Sequence, residues 1–311
     1  MLSGFCKISL ALCVVLAAHL AGKGQTSLNG DWMRVQSDDG EFSIEVPRKY
    51  SFFTDERGFV IADSGNDLNL TKMEMLNAII DGSLISFERY AADKRAVSRI
   101  YESEKSRRGI KETSPIKREN LKIAQLISET DSYHLLRQYF YLNGHIYILT
   151  ALSRNGETEA MRRFLDSLRV KSKSANNSSG DATSFSQLEK TEIKIEDLTT
   201  KKPVSSPPND SPVIPQRPMP AAGYKPVAIA VKPFSSYTNE ARSARVSGTI
   251  VLRVTFADDG SIPKISFIRS LPNGLSRQAL FCALRIKFLP QEKDGKPVTT
   301  VKSIEYSFDI Y

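Results

Sequence analysis

Eight of the chain's 15 prolines stand between Pro203 and Pro226. Proline fixes its own φ and carries no N–H, so a stretch this dense builds neither a helix nor an interior strand. The sequence therefore predicts an extended polyproline-type spacer there, about 75 Å long at ~3.1 Å per residue. Just upstream, Lys171 to Ser184 is polar and rich in Ser, Asn and Gly. Residues 171–226 are expected to form one disordered proline-rich linker. Within it Glu189 to Leu198 reads as solvated chain, with a transient helix or a short docking motif as the alternatives. The linker divides the chain into a folded N-terminal part, residues 25–170, and a folded C-terminal part, residues 227–311.

Residues 1–24 have the layout of an export leader. Lys7 precedes an apolar run from Ile8 to Ala21, broken only by Ser9 and His19, and Gly22-Lys23-Gly24 offers a small-x-small cleavage site. Cleavage would leave Gln25 as the first residue. The alternative is a retained anchor, because a helix from Leu2 to Gly22 reaches about 30 Å. Cys6 and Cys13 lie in this leader, so Cys282 is the single cysteine beyond it and no internal disulfide can form. Its neighbours Ala279, Ala283 and Ile286 make it a buried packing thiol rather than a nucleophile.

The net charge of +8 sits mostly at the C-terminal end, where residues 227–311 hold 12 basic and 7 acidic side chains. Those basic residues are scattered singly, with no cluster and no aromatic stacking platform. Nucleic-acid binding is therefore not expected.

From Trp32 to Val170 the pattern is of strands with two helices. Phe42, Ile44 and Val46 alternate with polar residues, and Asp81-Gly82 and Asn143-Gly144 each separate two apolar runs, the strongest short-range hairpin signal. One helix is expected from about Asp93, burying Val97, Ile100 and Tyr101. A second is expected over 157–168, with Met161, Phe164, Leu165 and Leu168 on one stripe. The opening Trp32-x-Arg34-Val35, continued by Phe42-Ser43-Ile44-x-Val46-Pro47, resembles the start of PsbP/Mog1-like domains, an antiparallel sheet with helices packed on it. His134 and His145 lack companions for a metal set and read as rim residues. A Gly-x-Ser-x-Gly elbow and a Gly-rich phosphate loop are both missing. The expectation is of no enzyme, no cofactor and no metal site.

In the C-terminal part a short helix over 237–245 is followed by alternation at Ile250, Leu252, Val254 and Phe256. Asp258-Asp259-Gly260 then turns the chain into a second strand over 262–269. A helix from Leu275 to Lys287 buries Leu275, Ala279, Cys282, Ala283 and Ile286, and a closing strand runs from Val298 to Ile310. The fold class is thus α+β throughout: an N-terminal antiparallel sheet with packed helices, a proline-rich linker, and a small α+β module.

The ordered run Tyr237-x-x-x-Ala241-Arg242, Val246-x-Gly248-Thr249-Ile250, Asp259-Gly260, Leu275-x-x-x-Ala279, Phe288-x-Pro290 and Gly295-x-Pro297-Val298 resembles the C-terminal domain of TonB-type energy transducers. The chain departs from that family at Thr238, at Lys287, and at the longer Ser270-Leu-Pro-Asn-Gly274 turn. The resemblance implies that an extended peptide from an outer-membrane receptor joins the last strand by β-augmentation. Carried over, the receiving residues are Val301, Lys302, Ser303, Ile304, Glu305, Tyr306, Ser307 and Phe308. The plainer alternative is a core strand whose edge Lys302 and Glu305 blunt against pairing.

The resemblance further implies a periplasmic place in the bacterial cell envelope, an inner-membrane anchor if the leader is kept, and an ExbB/ExbD-type motor as second partner. A homodimer through the module is a further option. The rival reading is a soluble periplasmic binding or scaffolding protein that uses such a module without energy coupling.

Overall fold

The computed structural model describes residues 31–38, 40–56, 59–61, 68–118, 121–170, 182–199 and 223–309. The leader and the densest proline run, residues 200–222, lie outside the described residues, and so do the expectations placed on them. Spatial contacts group the chain as Met1–Trp32 and Met33–Tyr311, and the second unit is described below. Among the described residues no helix is long and apolar enough to cross a membrane.

The elements follow the alternation of the sequence. The chain runs β1 (Trp32–Gln36), β2 (Phe42–Pro47), β3 (Ser51–Asp55), β4 (Phe59–Ile61), β5 (Leu68–Ile80), β6 (Ser83–Ala91), α1 (Lys94–Lys105), β7 (Ile110–Glu112), β8 (Ile116–Arg118), β9 (Leu121–Glu129), β10 (His134–Leu142), β11 (His145–Ser153), α2 (Glu159–Asp166) and β12 (Arg169–Val170). It continues as β13 (Thr183–Ser184), a 3-10 turn (Phe185–Gln187), β14 (Lys194–Asp197), β15 (Tyr224–Lys225), β16 (Ala228–Val231), α3 (Asn239–Ser243), β17 (Gly248–Phe256), β18 (Lys264–Arg269), α4 (Leu275–Leu284), β19 (Lys287–Leu289), β20 (Gln291–Lys293), β21 (Lys296–Val298) and β22 (Thr300–Phe308).

A large antiparallel sheet in the order β3-β5-β6-β11-β10-β9-β7 dominates the first half. Both expected hairpins form there. Asp81 and Gly82 take φ of 50° and 70°, and Asn143 and Gly144 take 43° and 82°, the left-handed pair that a two-residue hairpin loop demands. Asp93 caps α1 by accepting from the Arg95 N–H at 2.8 Å, and Thr158 caps α2 by accepting from Met161 N–H at 3.2 Å. His134 and His145 stand at opposite ends of the β10–β11 hairpin.

The linker expectation is corrected where its residues are described. Residues 182–199 are folded: β13 pairs with β1, and β14 adds in parallel to β18 of the C-terminal sheet. The cause is apolar. Phe185 is 1% exposed and stacks on Phe87 with centroids 4.9 Å apart, in a cluster that includes Phe42 and Phe52. Burying one such ring contributes on the order of 2–3 kcal/mol, enough to order a short polar stretch around it.

The two halves share one core. Leu70, Tyr90, Tyr139 and Ile146 pack in the same apolar cluster as Leu252, Phe281, Phe288 and Tyr306. Helix α4 explains why. It buries Leu280, Phe281 and Leu284 as well as Leu275, Ala279, Cys282 and Ala283, so it is covered on both sides rather than lying on a single sheet. At the same junction Gly260 takes φ +81°, and a Cβ there would stand 2.8 Å from Leu84 Cδ1 and 3.0 Å from Ile79 Cγ1.

A buried ionic cluster crosses this junction. Glu88 of β6 is 0% exposed. It meets Arg285 Nε at 3.1 Å, Lys287 Nζ at 3.1 Å and Arg137 at 3.5 Å, and Tyr90 OH donates to it. Arg137 and Tyr139 in turn hold Glu104 of α1, and Lys287 Nζ also donates to Asn77 Oδ1 at 3.2 Å. Burial alone would raise the Glu88 pKa, but the three cations outweigh it and hold the carboxylate well below its usual range. Burial pushes Lys287 down to about 8 against the pull of Glu88.

Boundaries in the C-terminal module shift for stated reasons. α4 ends at Leu284, not Lys287, because Lys287 opens β19 and pairs with Val231. The closing strand starts at Thr300, since Lys296–Val298 instead forms a hairpin with Gln291–Lys293 through Asp294 and Gly295, at φ 51° and 74°. α3 is confined to Asn239–Ser243, where Thr238 Oγ1 accepts from Ala241 N–H at 3.1 Å and donates to Asn273 O at 2.6 Å.

Candidate partner-binding edge

The C-terminal sheet has the order β14-β18-β17-β22, which leaves β22 with β17 as its one strand neighbour among the described residues. The residues expected to receive a peptide, Val301 to Phe308, all lie on this terminal strand. Its alternation has two consequences. Ile304, Tyr306 and Phe308 are buried under the sheet at 6%, 5% and 1% exposure, whereas Val301, Ser303, Glu305 and Ser307 are exposed on the other face.

The direction of the backbone groups follows from the ladder. Pro263 O and Phe267 O accept from Lys194 N–H at 2.8 Å and Leu198 N–H at 3.0 Å, so the odd-numbered residues of β18 serve β14. Lys264 and Ser266 must then serve β17, opposite Thr255 and Arg253. That leaves Leu252 and Val254 to pair with Ile304 and Lys302 of β22. In an antiparallel ladder a residue's N–H and C=O point the same way and successive residues alternate. Val301, Ser303, Glu305 and Ser307 therefore direct their backbone groups to the open side.

One of those open groups is occupied. Lys232 Nζ donates to Glu305 O at 2.8 Å and lies 5.0 Å from the Tyr306 ring centroid. Burial lowers the Lys232 pKa, with Glu305 pulling in the opposite direction. Two residues further on, Phe234 is 71% exposed, the most exposed large apolar side chain described, and the Arg107 guanidinium stacks 4.7 Å from its centroid. Beneath this surface Cys282 is buried, and burial pushes its thiol up to about 11. The sequence reading missed Lys232, Phe234 and Arg107. An exposed Phe flanked by Pro233 is a legible signal, but Arg107 reaches the site only through the docking of the two halves.

This site is an open, partly capped strand edge on a small α+β module. Residues 234–310 match the family described as Gram-negative bacterial TonB protein C-terminal, so this part of the chain is similar to a TonB C-terminal domain. No curated protein matches the chain.

Two departures from the family pattern have structural reasons. Thr238 is the N-cap of α3, its side chain accepting from Ala241 N–H. Lys287 is the cation that reaches Glu88 across the junction.

Proposed function

We propose that this is a cell-envelope binding protein of TonB type, working in the periplasm without catalysis, whose C-terminal module receives an extended segment of an outer-membrane receptor along β22. The open alternation at Val301, Ser303, Glu305 and Ser307 carries the reading, because a row of backbone N–H and C=O groups on one side, with Lys232 covering only the Glu305 carbonyl, is what β-augmentation requires.

The test is titration of a receptor-derived extended peptide, with proline scanning of the open positions. Ser303→Pro and Ser307→Pro remove N–H groups that β17 does not use, so the strand keeps its ladder and the peptide loses its partner. Ser303→Ala should bind as the parent does. If proline variants at 303, 305 and 307 keep their circular dichroism and still bind like the parent, the reading fails.

The docking of the module on the N-terminal half favours a second reading, a periplasmic scaffold without energy coupling. A transducer has to pull on its module through an anchor and engage an ExbB/ExbD-type motor. A module locked to a neighbouring sheet by a buried ionic cluster suits a fixed scaffold better. N-terminal sequencing of the exported protein separates the two, since a start at Gln25 removes the anchor.

A further inference from the structure

We infer that the opposite edge of the C-terminal sheet, along β18, is a second strand-accepting site that the chain fills with its own residues Lys194–Asp197, and that this strand is exchangeable for an extended acidic segment from another protein. The inference does not depend on the reading of β22. Strand β14 lies outside residues 234–310, the stretch matched to the TonB C-terminal family, and joins the module's sheet from the segment between the two halves.

The segment has one firmly held end and one lightly held end. Upstream, Phe185 and Leu188 are buried in the N-terminal half, and Thr191 trades hydrogen bonds with the Phe52 backbone at 2.6 and 3.1 Å. Downstream, Lys194–Asp197 makes a short parallel ladder through Lys194 N–H to Pro263 O and Leu198 N–H to Phe267 O. Its side chains contribute little burial: Lys194 and Asp197 are exposed and Ile195 is 41% exposed. By contrast β22 pairs with β17 over nine residues and buries three large side chains beneath the sheet.

The side-chain chemistry names the occupant. Glu196 Oε1 meets Lys264 Nζ at 2.9 Å, and Ser266 Oγ donates to Glu196 at 3.3 Å. A segment that replaces β14 must therefore run parallel to β18 and place a carboxylate opposite Lys264 and Ser266. The backbone bonds supply affinity and that carboxylate supplies register. Because β14 is tethered close by, it competes at an effective concentration of about millimolar, so an outside strand succeeds only when it binds well or when the tether is drawn away.

The probe is a fluorescent synthetic peptide of residues 191–199, titrated by anisotropy into the full chain. In one variant the strand is erased by Lys194→Gly, Ile195→Ser, Glu196→Gly and Asp197→Ser. The folded variant is expected to bind the probe at least about tenfold tighter than the parent, whose own strand competes. A Glu196→Lys peptide should bind weakly, and Lys264→Glu in the protein should restore it. Adding Ser303→Pro should change nothing. Equal binding to parent and folded variant, no binding to the folded variant, or loss on Ser303→Pro would each overturn the inference. Should the erased variant not fold, hydrogen exchange in the parent decides: the Lys194 and Leu198 amides must exchange faster than those of Lys302 and Ile304, and equal protection overturns it.

Discussion

Glu88 of β6 and Lys287 of β19, 199 positions apart in sequence, approach to 3.1 Å with both side chains buried. The contact joins the N-terminal sheet to the TonB-type module at its one departure from the family pattern just before Phe288. Among the described residues Glu88 is the anion that Arg137, Arg285 and Lys287 all face, so the cluster depends on it more than on any one cation.

Unequal costs follow for the two partners. Glu88→Ala leaves three buried cations facing one another, with Glu104 as the remaining anion, and should cost about 3–5 kcal/mol in urea unfolding. Lys287→Met removes one cation and leaves Glu88 with two, and should cost distinctly less. Equal losses, or a parent that unfolds in two separate transitions, would show that the cluster does not bind the halves together.

Acid should loosen the same junction. The Glu88 pKa is depressed in the folded state, so its contribution is fully present above the ordinary value of 4.5 and is lost progressively as pH falls below it. Glu88→Gln should flatten that part of the stability profile. A parent whose urea midpoint is unchanged from pH 6 to pH 3 would contradict this.

Gly260 reports on the close approach itself. Gly260→Ala combines a left-handed backbone with a Cβ 2.8 Å from Leu84 Cδ1, whereas Gly295→Ala has a similar φ of +74° and nothing within 4 Å. Thermal unfolding should show the Gly260 variant less stable than the Gly295 variant by about 1–3 kcal/mol, the cost of overpacking.

Lys232 caps an acceptor that an incoming strand needs. Lys232→Met should tighten binding of an extended peptide to β22 by about fivefold, roughly the 1 kcal/mol net worth of one hydrogen bond. Weaker binding in the folded variant, measured by calorimetry, would mean that Lys232 holds the peptide instead of guarding the edge.

The thiol of Cys282 should stay unreactive toward an alkylating reagent at pH 8 and react after denaturation, because it is buried and its pKa is raised to about 11.

Local order was legible in the residues. Asp81-Gly82 and Asn143-Gly144 turn their hairpins because Gly and small polar side chains tolerate left-handed φ, and the alternation at Ile304, Tyr306 and Phe308 marks the buried face of the closing strand without reference to anything distant. The TonB-type module was legible for the same reason, since its motifs are ordered turns and apolar positions within one short stretch.

Three things were decided only by tertiary structure. Phe185 stands in a polar segment whose composition says spacer, and it orders that segment because Phe42, Phe52 and Phe87 surround its ring. Glu88, Arg137, Arg285 and Lys287 look like ordinary surface charges in sequence, and burial on three separate strands and the residue capping α4 made them a cluster. The sequence marks one buried face on α4, and the structure buries Leu280, Phe281 and Leu284 as well. That the cover is the chain's own N-terminal sheet could not be read locally, because pattern records which face avoids water and not what excludes it.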